Sequence, residues 1–304
     1  MTRKISQSII DLYDAYTHGA MARREFMKRL AKAAGGAAAA QAIMPLLAND
    51  YARASIIAED DPRLAVSSES FETGDIVDLA DPSSFTGDIG HAVEAYVARP
   101  KDMEAAPAII VIHENRGLNP HIKDVARRVA LEGFTAYAVD MLSPYGGTPT
   151  NEDEARSMIG RLDGAKTAQK LAMIAEKLAD AETPLAKVGA VGFCWGGGMV
   201  NALACAAPDL AAGVAYYGMQ PPQSEAAKIK AALLLHYAGE DARINAGIPA
   251  YETALKAAGV DYALYTYEGV QHAFNNDTNE ARYNKDAADL AWSRTIAFFK
   301  EKLG

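Results

Sequence analysis

From residue 108 onward, the chain alternates between short, continuously apolar runs and longer segments in which apolar residues recur at helical spacing. A continuous apolar run predicts a strand buried on both faces, as in a parallel sheet. Strand–helix alternation of this kind predicts an α/β protein with a doubly wound, mostly parallel sheet and helices on both faces. The predicted strands are 108–113, 134–139, 187–193, 212–217, 232–237 and 262–267. The predicted helices include 122–131, 152–162, 165–181, one ending near 206, and 280–302.

Two segments ahead of this alternation, 76–79 and 91–98, have the composition of strands. Turn-forming residues such as Pro82 and Gly87 separate them, so they predict an antiparallel pair at one edge of the sheet. Residues 55–75 are polar, show no clear period and are predicted to be a linker. One folded domain is therefore expected from residue 76 to residue 304.

The first 54 residues carry the features of a twin-arginine export signal in the expected order. Arg23 and Arg24 precede Phe-Met-Lys, a weakly hydrophobic segment covers 31–47, and Ala-Arg-Ala at 52–54 offers a cleavage site. We therefore predict a leader and a periplasmic or otherwise exported protein, with no stable membrane insertion after export. The alternative is a cytoplasmic protein whose N-terminal helix packs on the body, with both arginines as surface charges.

Charge is distributed unevenly along the chain. Residues 1–54 carry eight Lys/Arg and four Asp/Glu, a net +4, whereas the whole chain carries −9, which leaves −13 for the rest. An acidic body argues against nucleic acid and anionic membranes as partners. The two cysteines, Cys194 and Cys205, lie eleven positions apart and would be too distant on one helix to form a disulfide.

The most specific motif is Gly-Phe-Cys-Trp-Gly at 192–196, where an apolar run meets a predicted helix. This is the nucleophile-elbow pattern, with Cys194 where serine is usual. A sharp strand-to-helix turn strains the backbone of its central residue and requires glycine on both sides. The adjoining helix N-terminus favours a thiolate. The plain alternative is a buried, inert cysteine in a glycine-rich turn.

Catalytic partners of Cys194 should follow strands, because the carboxyl ends of parallel strands meet at one rim of the sheet. Asp241 and His272 each come shortly after a predicted strand, and the order nucleophile, acid, histidine is that of α/β-hydrolases. The imidazole would take the thiol proton, and the carboxylate would fix the imidazole tautomer. Glu240 is the rival of Asp241, and His18 is set aside because it lies in the predicted leader.

Three features together resemble the dienelactone hydrolase (carboxymethylenebutenolidase) family. They are Gly-Phe-Cys-Trp-Gly-Gly-Gly at 192–198, Val-Ile-His-Glu followed by Arg-Gly-Leu within 111–118, and the placement of Asp241 and His272. The resemblance covers about 76–303 and implies the α/β-hydrolase fold.

The resemblance also implies roles for residues around the elbow. Glu114 matches a glutamate that contacts the resting cysteine in the family and swings away when substrate enters. A salt bridge between Glu114 and Arg116 is the plain alternative. The backbone N–H groups of Asn115 and Trp195 match those of the family's oxyanion hole.

The chain departs from the family where the dienelactone-opening enzyme grips its substrate carboxylate with two arginines. The loop 141–147 contains no arginine, and Asn276 stands four residues after the histidine. Arg116 and Tyr145 are the substrate-binding side chains expected instead, with Arg243 as another candidate cation. The resemblance therefore implies the fold and the triad but not dienelactone as substrate.

The sequence thus predicts a hydrolase of a carboxylic ester or lactone that acts on a small molecule through a Cys-His-Asp triad. No cofactor is predicted, and no metal either, since Gly117 stands where His-Glu-x-x-His requires its second histidine. Two alternatives stay open. One is a non-catalytic hydrolase-fold protein that binds a ligand or partner, and the other is a thioesterase or acyl transferase with the same triad.

Overall fold

Eight strands form one sheet in the computed structural model, which describes residues 5–19, 21–51, 55–74, 92–103, 105–180 and 187–304. The strands are β1 Leu64–Glu72, β2 Ala92–Pro100, β3 Ala108–Ile112, β4 Thr135–Asp140, β5 Val188–Phe193, β6 Ala212–Tyr216, β7 Ala232–Ala238 and β8 Tyr262–Tyr267. Their order across the sheet is β1-β2-β4-β3-β5-β6-β7-β8. The pairs β1–β2 and β2–β4 are antiparallel and all the others are parallel, so the predicted mostly parallel sheet is confirmed.

Helices cover both faces of this sheet. They are α1 Gln7–Thr17, α2 Arg23–Ala34, α3 Ala37–Leu47, α4 Pro120–Leu131, α5 Glu152–Ile159, α6 Gly164–Ala179, α7 Trp195–Ala206, α8 Ala242–Asn245, α9 Ile248–Ala258 and α10 Lys285–Leu303. Side chains of α4 and α10 pack with Ile109 and Val111 on one face, while those of α6, α7 and α9 pack with Ile110 and Ile112 on the other. Alternate residues of β3 thus serve opposite layers, which is why its sequence is apolar throughout.

Side-chain caps set several helix starts, and they account for small differences from the predicted bounds. The last helix begins at Lys285 rather than near 280, because the side chain of Asn284 accepts the N–H of Ala287 at 3.0 Å. Asn119 caps α4 in the same way, accepting the N–H of Ile122 at 3.2 Å.

The predicted linker over 55–75 needs correction, because β1 occupies its second half. This strand pairs antiparallel with β2 along its full length, with Ala65 opposite Arg99 and Phe71 opposite Val93. Most of its residues are partly or fully exposed, with only Leu64 and Phe71 buried at its two ends. An edge strand with a solvated face lacks the apolar run from which the inner strands were recognised. The partner expected for β2, at 76–79, lies outside the described residues.

Three helices occupy the segment predicted to be a leader. They share a small core of their own, in which the rings of Tyr16 and Phe26 stack with centroids 4.5 Å apart and Leu30 and Leu47 are buried. The twin-arginine expectation and the location that follows from it stay predictions.

This N-terminal unit packs on the body. Arg23 forms an ion pair with Asp153 at 2.5 Å, and Asn279 donates to the main-chain oxygen of Leu47 at 2.7 Å. Such packing is the arrangement that the alternative interpretation of the sequence expected. Within the described ranges, no single helix is long and apolar enough to cross a membrane. The pair α2–α3, bent by 109°, passes that test by length and composition.

Candidate active site

Cys194 lies at the turn between β5 and α7, with a backbone conformation of φ 55° and ψ −113°. The flanking glycines leave no room for a side chain. A Cβ atom on Gly192 would lie 2.1 Å from the carbonyl oxygen of Gly196, and one on Gly196 would lie 2.4 Å from that of Ile112. The turn therefore needs glycine at both positions, for the reason given by the elbow motif.

Asp241 and His272 form a carboxylate–imidazole pair beside this turn. Oδ2 of Asp241 lies 2.5 Å from Nδ1 of His272, and both side chains are buried. Asp241 follows β7 and also caps α8, since its Oδ1 accepts the N–H of Ile244 at 3.2 Å. Glu240, its rival in the sequence, makes no such contact with the ring. The other ring nitrogen of His272, Nε2, has no hydrogen-bond partner in the described part of the chain.

A second imidazole, which the sequence analysis set aside, approaches the same sulfur. Nε2 of His18, just beyond the end of α1, lies 3.2 Å from Sγ of Cys194. The rings of His18 and His272 meet edge-on with centroids 4.8 Å apart. One nitrogen of each ring and the Cys194 sulfur all lie within 4.8 Å of one another. The cysteine thus lies between two histidines, and its hydrogen bond is with His18.

Asp14 lies beside His18 as Asp241 lies beside His272, although the hydrogen bond of His18 goes to the main-chain oxygen of Asp14 and not to its carboxylate. Nδ1 of His18 lies 3.1 Å from Oδ1 of Asp14 and 2.9 Å from its main-chain oxygen. Two arginines of the body, Arg243 and Arg282, each approach the Asp14 carboxylate to 3.8 Å. An Asp–His pair spaced four residues apart on a helix is visible in the sequence. That it faces Cys194, 176 positions away, is not.

The charges of this cluster support one another. Burial opposes ionisation of Cys194, but the positive charges of His18 and His272 outweigh burial and lower its pKa to about 6. Burial also opposes the charge of His272, yet the Cys194 thiolate and the carboxylate of Asp14 raise its pKa to about 10. The pKa of His18 is raised as well, because Cys194 and Asp14 outweigh its burial. All three shifts favour a thiolate between two protonated imidazole rings.

Glu114 does not contact the cysteine as the family resemblance implied. Its Oε2 accepts the amide N–H of Asn276 at 2.9 Å, while its Oε1 is buried without a hydrogen bond among the described residues. The alternative salt bridge with Arg116 is absent too, because that guanidinium donates to Glu152 at 3.0 Å and to the hydroxyl of Tyr13 at 3.2 Å.

Neither expected substrate-binding side chain lines the cavity at Cys194. Arg116 is buried between the body and the N-terminal helices. Tyr145 packs against Leu142 and its neighbours. Both assignments are corrected. The ring of Tyr145 packs in a small hydrophobic core, and Arg116 is already paired with Glu152.

Asn115 and Trp195, which were expected to form the oxyanion hole, both line the cavity that contains Cys194. Trp195 is the first residue of α7, so its N–H has no acceptor within the helix. Asn115 also lines the cavity, and its side-chain amide donates to the main-chain oxygen of Thr17 at 2.8 Å. The ring of His113 stacks on the Trp195 indole with centroids 5.2 Å apart.

The cavity above Cys194 has a volume of about 970 Å³. It extends from the sulfur between α6 and α7, where its walls are mostly small or apolar side chains such as Ala168 and Met199. Cations also line it: Arg156, Lys228 and Arg243. Of the three, Arg243 was considered as a substitute for the missing arginine pair. Cys205 lines the cavity as well, and its burial raises its pKa to about 11, which makes it a poor nucleophile.

In the part of the chain that the structure describes, the ligand atoms of His18, Cys194 and His272 lie close enough together to bind one metal ion. Two imidazoles and a thiolate are ligands that zinc accepts. The prediction of a metal-free site rested on the absence of His-Glu-x-x-His and did not include His18 as a ligand. Metal analysis of the purified protein tests it.

Comparison with known proteins agrees with this architecture. The sequence profile described as "Dienelactone hydrolase family" matches residues 93–303, and one described as "YqhI-like" matches residues 1–36. A protein of Saccharolobus solfataricus, described as a candidate carboxymethylenebutenolidase, is 33% identical over 247 residues, covering 69% of this chain and 95% of that protein. One of Escherichia coli K12, described likewise, is 30% identical and covers 70% and 83% of the two chains. A crystal structure of a candidate dienelactone hydrolase from Klebsiella pneumoniae matches with a TM-score of 0.63 and 26% identity, covering 78% and 99%.

Proposed function

The chain belongs to the dienelactone hydrolase family, and on that premise we propose that it hydrolyses a carboxylic ester or lactone with Cys194 as nucleophile. The observation that carries this proposal is the position of Cys194. It lies at a glycine-flanked elbow, within 4.8 Å of a ring nitrogen of His272, which is itself bound to Asp241. Hydrolase chemistry requires a nucleophile, a proton carrier and an orienting carboxylate in this relationship.

The reaction would proceed through an acyl-enzyme. The Cys194 thiolate adds to the substrate carbonyl, whose oxygen takes up the negative charge and is held by the N–H groups of Asn115 and Trp195. As the C–O bond to the leaving group breaks, the His272 imidazolium gives its proton to the departing oxygen. Water then adds to the thioester while His272 takes one of its protons, and the carboxylic acid leaves as the thiolate returns.

The cavity supports a substrate with an apolar acyl group rather than dienelactone itself. Its walls between α6 and α7 are small and apolar, which suits a hydrocarbon chain or ring. Asn276, at the position of one of the family's arginines, is bound to Glu114. Arg243, two residues after Asp241 in the chain, lines the cavity and would attract an anionic group on the substrate.

A panel of p-nitrophenyl esters and simple lactones tests the proposal. Cys194→Ala should lower kcat/KM by about 1,000-fold or more, because removal of a nucleophile abolishes the covalent route. Cys205→Ala is the matched control, since it removes the other thiol of the same cavity and should leave the rate close to that of wild type.

Mass spectrometry of the stopped reaction adds an independent readout. An acyl adduct on the peptide that contains Cys194 is expected with slow substrates. Equal rates for wild type and Cys194→Ala, with no adduct, would remove this cysteine from the mechanism.

A further inference from the structure

The hydrogen bond to the cysteine sulfur comes from outside the proposed triad. His18 lies 3.2 Å from Sγ, whereas Nε2 of His272 makes no hydrogen bond among the described residues. His18 has its own carboxylate, Asp14, at 3.1 Å. Cys194 therefore lies beside two Asp–His pairs. Asp241 and His272 follow strands of the sheet, and Asp14 and His18 lie at the end of α1.

The number of protons at the site indicates what a second Asp–His pair does for Cys194. A thiol has one proton, so it can donate to only one imidazole, and a second neutral ring would turn a lone pair toward the sulfur. A thiolate lies between two imidazolium rings without conflict, because it attracts both positive charges, and the nearby carboxylates balance those charges. The arrangement is thus complementary to the ionised sulfur and not to the thiol.

The groups around His18 favour its charged form on balance, although its burial opposes that form. Asp14 faces it from its own helix, and the thiolate of Cys194 faces it from the elbow. The like charge of His272 opposes it. Arg243 and Arg282 lie beyond Asp14, 3.8 Å from its carboxylate, and hold that carboxylate in place.

We propose that Asp14 and His18 are a second carboxylate–imidazole pair of this active site, which holds Cys194 ready for attack in the resting enzyme. This is the task that the family resemblance assigned to Glu114, which is bound to Asn276 instead. The catalytic consequence rests on the proposed function, whereas the effect on the sulfur does not. During attack the electron pair of the thiolate passes to the carbonyl carbon. His18 keeps its proton throughout, and the leaving group takes its proton from His272.

With this role for His18, the end of α1 belongs to the catalytic site and does not merely pack beside it. Thr17, His18 and Gly19 form one wall of the substrate cavity. Asn115, whose N–H is proposed for the oxyanion hole, is fixed by its bond to the main-chain oxygen of Thr17. The same turn therefore positions both the imidazole at the sulfur and the loop of Asn115.

Alkylation of Cys194 as a function of pH tests the proposal without any substrate. In a Cys205→Ala background, iodoacetamide labelling of the full-length chain should rise with a midpoint near pH 6, where the thiolate forms. His18→Gln keeps a polar side chain but removes the cation, and it should move this midpoint up by about one to two pH units. Asp14→Asn should move it in the same direction by less.

The midpoint is measured rather than the rate, because a new side chain at position 18 in the cavity wall can change the labelling rate at every pH. Arg29→Gln, on the exposed face of α2, is the control and should match wild type. Circular dichroism shows whether a variant is folded. Should His18→Gln fold poorly, His18→Gly with added imidazole replaces it, and recovery of the low midpoint on addition of imidazole is then expected.

Two results would overturn the proposal. One is an unchanged midpoint in both His18→Gln and Asp14→Asn. The other is a stoichiometric metal ion in the purified protein that is lost in His18→Gln, because His18 would then be a ligand and not a proton-bearing partner. Failure of the proposed function is seen separately, as full ester hydrolysis by Cys194→Ala, and it leaves the midpoint measurement unaffected.

Discussion

The ring of His113 lies nearly parallel to the indole of Trp195, with an angle of 12° and a centroid separation of 5.2 Å. His113 is fully buried, and burial lowers its pKa, so the ring is neutral. Its Nδ1–H donates to the main-chain oxygen of Glu114 at 2.7 Å, and its Nε2 accepts the N–H of Met141 at 3.3 Å. One histidine thus joins the loop after β3, the loop after β4 and the first residue of α7.

Replacing His113 by Phe should keep the stacking but remove both hydrogen bonds. We expect a loss of about 1–3 kcal/mol in the free energy of unfolding, because the Met141 N–H is left without its partner. Urea denaturation measures this loss. The acid limb of the activity profile should not move, since His113 carries no charge in the native protein. A shift of that limb would mean that His113 titrates and would contradict its structural role.

Gly192→Ala should disrupt the elbow, because the new Cβ would lie 2.1 Å from the carbonyl oxygen of Gly196. Backbone cannot yield like a flexible side chain, so we expect a cost of about 3 kcal/mol or more and little soluble, active protein. Gly198→Ala, on the helix that follows the elbow, is the matched control, since its nearest contact would be 3.4 Å. Thermal unfolding and esterase activity of the two variants should differ sharply. Similar behaviour would show that the turn tolerates a wider backbone path.

The pH dependence of kcat/KM should follow the thiolate–imidazolium pair. The rate should rise as pH passes about 6, where Cys194 loses its proton, and fall as pH passes about 10, where His272 loses the proton that the leaving group needs. The profile is bell-shaped with a wide plateau, because the pKa of the Cys194 thiol is lowered and the pKa of His272 is raised. The alkaline limb should be weaker for p-nitrophenyl esters, whose leaving group departs as an anion. An acid limb near pH 8.5, the value of an ordinary thiol, would contradict the arrangement.

Glu114→Gln should leave the alkylation midpoint of Cys194 where it is in wild type, because the glutamate contacts Asn276 and not the sulfur. Asn276→Leu should be the more harmful change, as it leaves a buried carboxylate without its donor. A loss of about 1–3 kcal/mol is expected for this second variant. Alkylation of Glu114→Gln checks the first expectation, and chemical denaturation of Asn276→Leu checks the second. A raised midpoint in Glu114→Gln would return the family's role to that residue.

Much of the body could be predicted from its sequence, because each inner strand is buried on both faces and is apolar throughout. The closeness of Cys194, Asp241 and His272 could be predicted because the elbow motif is specific and the ends of parallel strands meet at one rim of the sheet. β1 was missed because an edge strand with a solvated face shows no such run. Arg116 and Tyr145 were misplaced because residue type and loop position do not say which way a side chain points. His18 was missed for another reason: its contact depends on how an N-terminal unit docks, which no local pattern encodes.

The ion pair of Arg23 with Asp153 ties one half of the arginine doublet to the body. A transport receptor that grips this doublet would have to pull it from the folded enzyme first. Cleavage of the chain after Ala54 would then remove the imidazole that hydrogen-bonds to the sulfur, together with its neighbouring carboxylate. On the role proposed for His18, cleavage by a signal peptidase would therefore lower the reactivity of this cysteine.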